Sequence, residues 1–240
     1  MKAFLLILAF SFSAGAVVIR KDITYSGEQK LDMYSPDRPG KKSAIIFLHG
    51  GGWAYGSKDG FHEILLAAVA KDFISLAINY RLSVNHPWPA QLEDVLAAIA
   101  WARKDSSIGK IFLAGESAGA HLALMAGMQD ENISGILNLY GPTNLSLLYE
   151  TSPDLQDLIV LTFGKDSSKW NEASPVKYLG ESLPPILTIH GTADTIVPYS
   201  QALQLGSHHE LITITGEGHG LTPDSRRTAF ENGFQFFLNL

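Results

Sequence analysis

The run Ile111-Phe112-Leu113-Ala114-Gly115-Glu116-Ser117-Ala118-Gly119 constrains this chain more than any other stretch. An apolar strand-like segment ends in Gly-x-Ser-x-Gly, and a small-residue helical run, Ala120 to Met128, follows at once. A turn that tight between strand and helix forces Ser117 into a strained backbone conformation. It also demands glycine at 115 and 119, where a side chain would collide with the neighbouring strand or helix. The hydroxyl of Ser117 is thereby pushed out at the carboxyl end of the strand. The Ala118 amide is left at a helix N-terminus, free to bind an anion. Such a turn suits a nucleophile.

The rest of the chain reads as strands alternating with helices. Strands are expected at Val17–Tyr25, Gln29–Tyr34, Ser43–Leu48, Phe73–Asn79, Ile111–Gly115, Ile133–Tyr140, Pro185–His190 and Leu211–Thr215. Helices are expected at Asp59–Lys71, Pro89–Lys104, the run after the elbow, and Thr222–Asn239, where Phe230, Phe234 and Phe237 fall at helical spacing as core residues. The first two strands are joined by a hairpin turn at Ser26-Gly27-Glu28. This alternation implies βαβ units and a mostly parallel twisted sheet with helices on both faces, an α/β class. Thr143 to Leu179 is the least regular stretch and reads as a short lid-like insertion of small helices above the site.

Four suggestive loops each follow a strand, where ligands gather in such sheets. They are His49-Gly50-Gly51-Gly52-Trp53, the elbow, Gly191-Thr192-Ala193-Asp194, and Gly216-Glu217-Gly218-His219-Gly220. Three glycines after a core strand suit a backbone that bends closely around something, with His49 and Trp53 fixing the loop from either side. The chain order Ser117, Asp194, His219 is the α/β-hydrolase order of nucleophile, acid and base. Among rival acids, Asp166 and Asp224 do not follow a buried strand. Among rival imidazoles, His49 reads as a loop brace, His121 as a helix residue that packs or hydrogen-bonds locally, His190 as structural, and His208-His209 as a solvated turn.

Together with Leu31-Asp32-Met33-Tyr34, Leu139-Tyr140-Gly141-Pro142 and Ile196-Val197-Pro198, these motifs resemble the α/β-hydrolase superfamily. More narrowly, they look like its esterase/lipase branch, which includes hormone-sensitive-lipase-like esterases and bacterial feruloyl and acetylxylan esterases. Hormone-sensitive-lipase-like members usually carry a longer cap before the glycine loop. The short stretch Val17 to Lys42 here is closer to the compact feruloyl-esterase-like or formamidase-like members. The resemblance implies a serine carboxylesterase acting on short-chain or small aromatic esters, with Ser117, Asp194 and His219 as catalytic residues. It implies an oxyanion hole built from the amides of Gly51, Gly52 and Ala118. An aryl formamidase, amidase or small peptidase on the same scaffold stays open, as does a non-catalytic hydrolase-fold binding protein. Glu116 stands where relatives often show Asp or His, and both a strand-end contact and substrate recognition stay open for it.

Composition bounds the partners. With 240 residues, 46% hydrophobic and 18% charged, the chain suits one α/β domain with a large core. A net charge of −6 without a basic cluster argues against nucleic acid or an anionic membrane surface. No His/carboxylate spacing resembles a metal site, no cofactor is implied, and the absence of cysteine removes thiolate chemistry and disulfides. Met1-Lys2, the apolar run Ala3–Phe12 and Ala14-Gly15-Ala16 read as a secretory signal peptide over residues 1–16, cut after Ala16, with an uncleaved anchor or a buried strand as the other reading. The mature domain would then be 17–240, secreted or periplasmic, without stable membrane insertion.

Overall fold

The computed structural model describes residues 16–180 and 182–240. Residues 1–15 of the expected signal segment lie outside the described residues. Eight strands form one sheet in the order β1-β2-β4-β3-β5-β6-β7-β8. Strands β1 (Val17–Ser26) and β2 (Gln29–Pro36) form an antiparallel hairpin, and β2 lies antiparallel to β4 (Ile74–Ile78). From β4 through β3 (Lys42–Leu48), β5 (Ile108–Glu116), β6 (Gly135–Leu139), β7 (Ile186–Gly191) and β8 (Glu210–Ile214), every pairing is parallel.

The central strands are continuous apolar runs because both faces are covered. On one face, α1 (His62–Ala70) and α8 (Pro223–Leu238) close over Phe47, Phe112 and Leu137, with Phe230, Phe234 and Phe237 of α8 buried as their spacing predicts. On the other, α2 (Ala90–Arg103) and α3 (Ala118–Gly127) cover Ile46, Leu113 and Ile136. The helix expected over 59–71 is split. Ser57 caps a 3-10 turn at Lys58–Phe61, and α1 starts only at His62. The split follows from tertiary bonding: the Lys58 amide donates to Asn79 Oδ1 at 2.8 Å, and its ammonium lies 2.8 Å from the buried Asp32 carboxylate.

Between β6 and β7 the chain forms α4 (Leu145–Thr151), α5 (Gln156–Phe163) and α6 (Ser167–Glu172). Asn144 caps α4 and Asp166 caps α6, each accepting a backbone N–H with its side chain. These short helices are held by burial. Leu145, Leu148, Ile159, Phe163, Trp170 and Ala173 join the core on the α2/α3 side. The entry to the segment is tied to the one-turn helix α7 (Ser200–Leu203): Gln201 Oε1 accepts the amides of Thr143 and Asn144 at 2.9 and 2.8 Å. A four-residue helix is too short to leave a periodic signature, and α7 has no counterpart among the expected elements.

Candidate active site

The elbow is built by close approach. Ser117 sits at φ 52°, ψ −120°, between the last residue of β5 and the first of α3. A Cβ on Gly119 would stand 2.1 Å from the Leu48 carbonyl oxygen, and one on Gly115 would stand 2.3 Å from that of Gly119. No side chain fits there, which is why the turn takes glycine on both sides of the serine. The Ser117 amide donates to Leu139 O at 2.9 Å, tying the strained residue to β6.

Three residues far apart in the chain meet at this point. His219 Nε2 lies 3.0 Å from Ser117 Oγ, and His219 Nδ1 lies 2.8 Å from Asp194 Oδ2. The Asp194 side chain is wholly buried. Its Oδ1 accepts the amides of Ile196 and Val197 at 3.0 and 2.9 Å. Its Oδ2 faces both His219 and the buried His190, whose Nε2 is 3.3 Å away. Burial alone would push this carboxyl up. The donors from His190, His219 and the backbone outweigh it and hold the group well below the usual carboxylate range. An ionised Asp194 requires a proton on His219 Nδ1. Nε2 is then the basic nitrogen, facing the serine hydroxyl.

The glycine loop completes the mouth. Gly50 to Trp53, Ser117, Ala118 and His219 line one cavity of about 340 Å³, with Leu155 and Leu158 from the β6–β7 segment and Ile196 and Val197 from the acid loop as apolar walls. Gly51 has φ 113°, and a Cβ there would stand 2.2 Å from Tyr55 O. Among the described residues, the amides of Gly51, Gly52 and Ala118 make no hydrogen bond within the protein. Helix α5 rests directly on the loop, since a Cβ on Gly52 would meet Leu158 Cδ1 at 2.7 Å. His49 braces the loop as its flanking position suggests. Its ring stacks on Tyr80 at 4.2 Å, and Tyr80 Oη donates to the His49 carbonyl.

Several side chains behave differently from their sequence reading. The His121 ring is packed, as read, but its hydrogen bonds run across elements, to Trp53 and Ala173. His209 is half-buried, with Nδ1 2.7 Å from Thr188 Oγ1, so it is not a purely solvated turn residue. His190, expected to be structural, has its Nε2 2.8 Å from the Val197 carbonyl oxygen as well as facing Asp194. Asp166 and Asp224 lie away from the cavity, as a helix cap and as the partner of Arg227. Glu116 is engaged on both oxygens: Arg226 donates to each, and Tyr140 Oη donates to Oε1 at 2.7 Å. The structure displays the contact with neighbouring elements for Glu116, which also lines the cavity beside Ser117. The Tyr140 ring also packs edge-on against His219, centroids 5.1 Å apart. No spacing signal links Glu116 to Arg226, 110 positions later.

The BD-FAE family profile matches residues 31–208, which include the glycine loop, the elbow and Asp194. The chain belongs to the BD-FAE family. Among curated relatives of this BD-FAE chain, Esterase LipC of Mycobacterium tuberculosis is 28% identical over 92% of this chain and 65% of that protein. The probable carboxylic ester hydrolase LipM of the same organism is 28% identical over 69% of this chain and 44% of its own length. The chain thus spans less than two thirds of these relatives. Among solved structures, a truncated carbohydrate esterase from gut microbiota superposes with TM-score 0.81 at 25% identity, covering 95% of this chain and 98% of that one. An esterase of Pyrobaculum calidifontis gives TM-score 0.79 at 21% identity, over 92% and 84% of the two chains. The α/β-hydrolase fold expected from the motifs is the fold of the protein.

Proposed function

We propose that the protein is a serine carboxylesterase that hydrolyses short-chain or small aromatic carboxylic esters through an acyl-enzyme. The observation that carries this reading is one imidazole within hydrogen-bond reach of both a serine hydroxyl and a buried carboxylate, at the mouth of a cavity. Ester hydrolase names among the relatives support it.

In this reading Ser117 Oγ attacks the ester carbonyl while His219 Nε2 takes its proton. Asp194 holds the tautomer and stabilises the imidazolium. The amides of Gly51, Gly52 and Ala118 receive the developing oxyanion, each contributing about 3 kcal/mol to barrier lowering. His219 returns the proton to the leaving alcohol, and a water activated by the same imidazole releases the acid. The cavity suits small esters: its volume is near the lower end for ligand pockets, roughly 300 Å³, and Leu155 and Leu158 close it on the lid side. No metal or cofactor enters these steps. Among the described residues no helix is long and apolar enough to cross a membrane, and a secreted or periplasmic location is part of the proposal.

The test is turnover of p-nitrophenyl acetate, butyrate and decanoate beside N-formylkynurenine and a peptide anilide. The short esters are expected to be turned over fastest. Ser117→Ala is expected to lose at least about a thousandfold in kcat and all labelling by a fluorophosphonate probe, with an unchanged circular dichroism spectrum. Wild-type-like turnover by that variant would assign the nucleophile elsewhere. Preference for the formyl amide would select the formamidase reading.

A further inference from the structure

His121 is fully buried on the elbow helix, one turn after Ser117, and its amide donates to the Ser117 carbonyl at 3.0 Å. The reaction proposed above leaves it without a role. Its ring nitrogens leave the helix in two directions. Nδ1 accepts the indole N–H of Trp53 at 3.1 Å, and Nε2 lies 2.7 Å from the carbonyl oxygen of Ala173. An indole N–H only donates and a carbonyl only accepts. Both bonds therefore exist together in a single state, the neutral ring with its proton on Nε2.

Each partner matters to the cavity. Trp53 directly follows Gly51 and Gly52 and holds a left-handed backbone conformation, φ 60°, which a bulky residue adopts only where its surroundings impose it. Its carbonyl accepts the Ser83 amide at 2.9 Å, so the residue is held at its backbone by Ser83 and at its indole by His121. Ala173 ends α6 in the segment whose Leu158 rests on Gly52. Trp88 and Phe163 close the rest of the cage, with ring centroids 5.7 and 5.8 Å from that of His121.

We propose that His121 is a positioning residue that sets the glycine loop through Trp53 and pins the β6–β7 segment over the cavity through Ala173. One imidazole thus joins the elbow, the loop and the cover. The inference rests on the esterase reading for its kinetic consequence, but its structural consequence is independent of that reading. A residue that only filled the core would make variants less stable without separating the two partners.

Two near-isosteric variants separate them. His121→Asn keeps an oxygen near the Nδ1 position for the Trp53 N–H and loses the donor to Ala173. His121→Gln keeps a donor near the Nε2 position and loses the acceptor for Trp53. With p-nitrophenyl acetate, His121→Gln is expected to lower kcat about tenfold or more with little change in KM, because the loop amides act on the transition state. His121→Asn is expected to leave kcat within about threefold and raise KM, because the cover shapes the ground-state cavity. Amide hydrogen exchange is read on the same samples: faster at residues 50–56 in the glutamine variant, faster at residues 152–178 in the asparagine variant. Equal kinetic effects of the two variants, or exchange in both segments matching wild type in both, would overturn the proposal. If the wild-type protein turns over no ester, the esterase reading fails, and the exchange pattern alone decides the role of His121.

Discussion

A carboxylate as enclosed as Asp194 stays ionised because two backbone amides and two imidazoles point at it. That charge sets the tautomer of His219, and the tautomer decides which nitrogen meets Ser117. The elbow glycines act with equal economy, through the space they leave empty. Gly119→Ala would place a methyl group 2.1 Å from Leu48 O. It is expected to cost about 4 kcal/mol or more, seen as loss of soluble protein or a Tm lowered by about 10 °C or more. Gly60→Ala, where nothing stands within 4 Å and φ is not left-handed, is the matched control and should stay within about 1 kcal/mol of wild type in the same thermal melt. The elbow glycines were legible because a repeated local pattern encodes a local collision. The partners of His121 were not, because a lone histidine on an apolar helix says nothing about which distant groups will face its nitrogens.

At the scale of elements, strands and long helices followed from runs and periods that burial on one or both faces requires. The exceptions have tertiary causes. The helix near residue 60 starts late because Lys58 is drawn to Asp32. Helix α8 is tied to the end of β5 by the Arg226–Glu116 pair, with the guanidinium lying over the Phe61 and Phe230 rings. Arg226→Met would strand the Glu116 carboxylate beside Tyr140. The expected cost is about 1–3 kcal/mol in urea denaturation, below the roughly 3–5 kcal/mol of a fully buried broken pair because the Arg226 side chain is 29% exposed. Adding Glu116→Gln should recover part of the loss, since no uncompensated charge then remains. A double variant weaker than the single one would show that the pair contributes by something other than charge balance.

For the molecule as a whole, acid stability reports the buried imidazoles. Burial holds His49, His121 and His209 below the usual histidine range, His121 at about 4. The rings packed against His121, those of Trp53, Trp88 and Phe163, carry no charge. Between pH 6.5 and 4 the unfolded chain binds protons that the folded ring refuses, so stability falls as pH drops through that window. The share from His121 is about 3 kcal/mol. Urea unfolding free energies at pH 7, 5.5 and 4.5 should decline in the wild type and decline less steeply in His121→Gln. Parallel slopes would mean that His121 protonates equally in both states. Below pH 4 Asp194 adds its own loss, because its carboxyl is held low by partners that exist only in the folded state.

Alternating apolar runs and the glycine-framed motifs by themselves determined the α/β architecture, the strand-end loops and the positions of Ser117, Asp194 and His219. Those features are local, and burial period or steric exclusion writes them directly into neighbouring residues. Tertiary structure alone decided how Glu116 is paired, what His121 and His190 touch, and that α5 rests on the glycine loop. The partners of Glu116, His121 and Gly52 lie tens to more than a hundred positions away, and His190 meets Asp194 and Val197 only because the loop after β7 folds back; packing creates these matches, and spacing along the chain does not encode them.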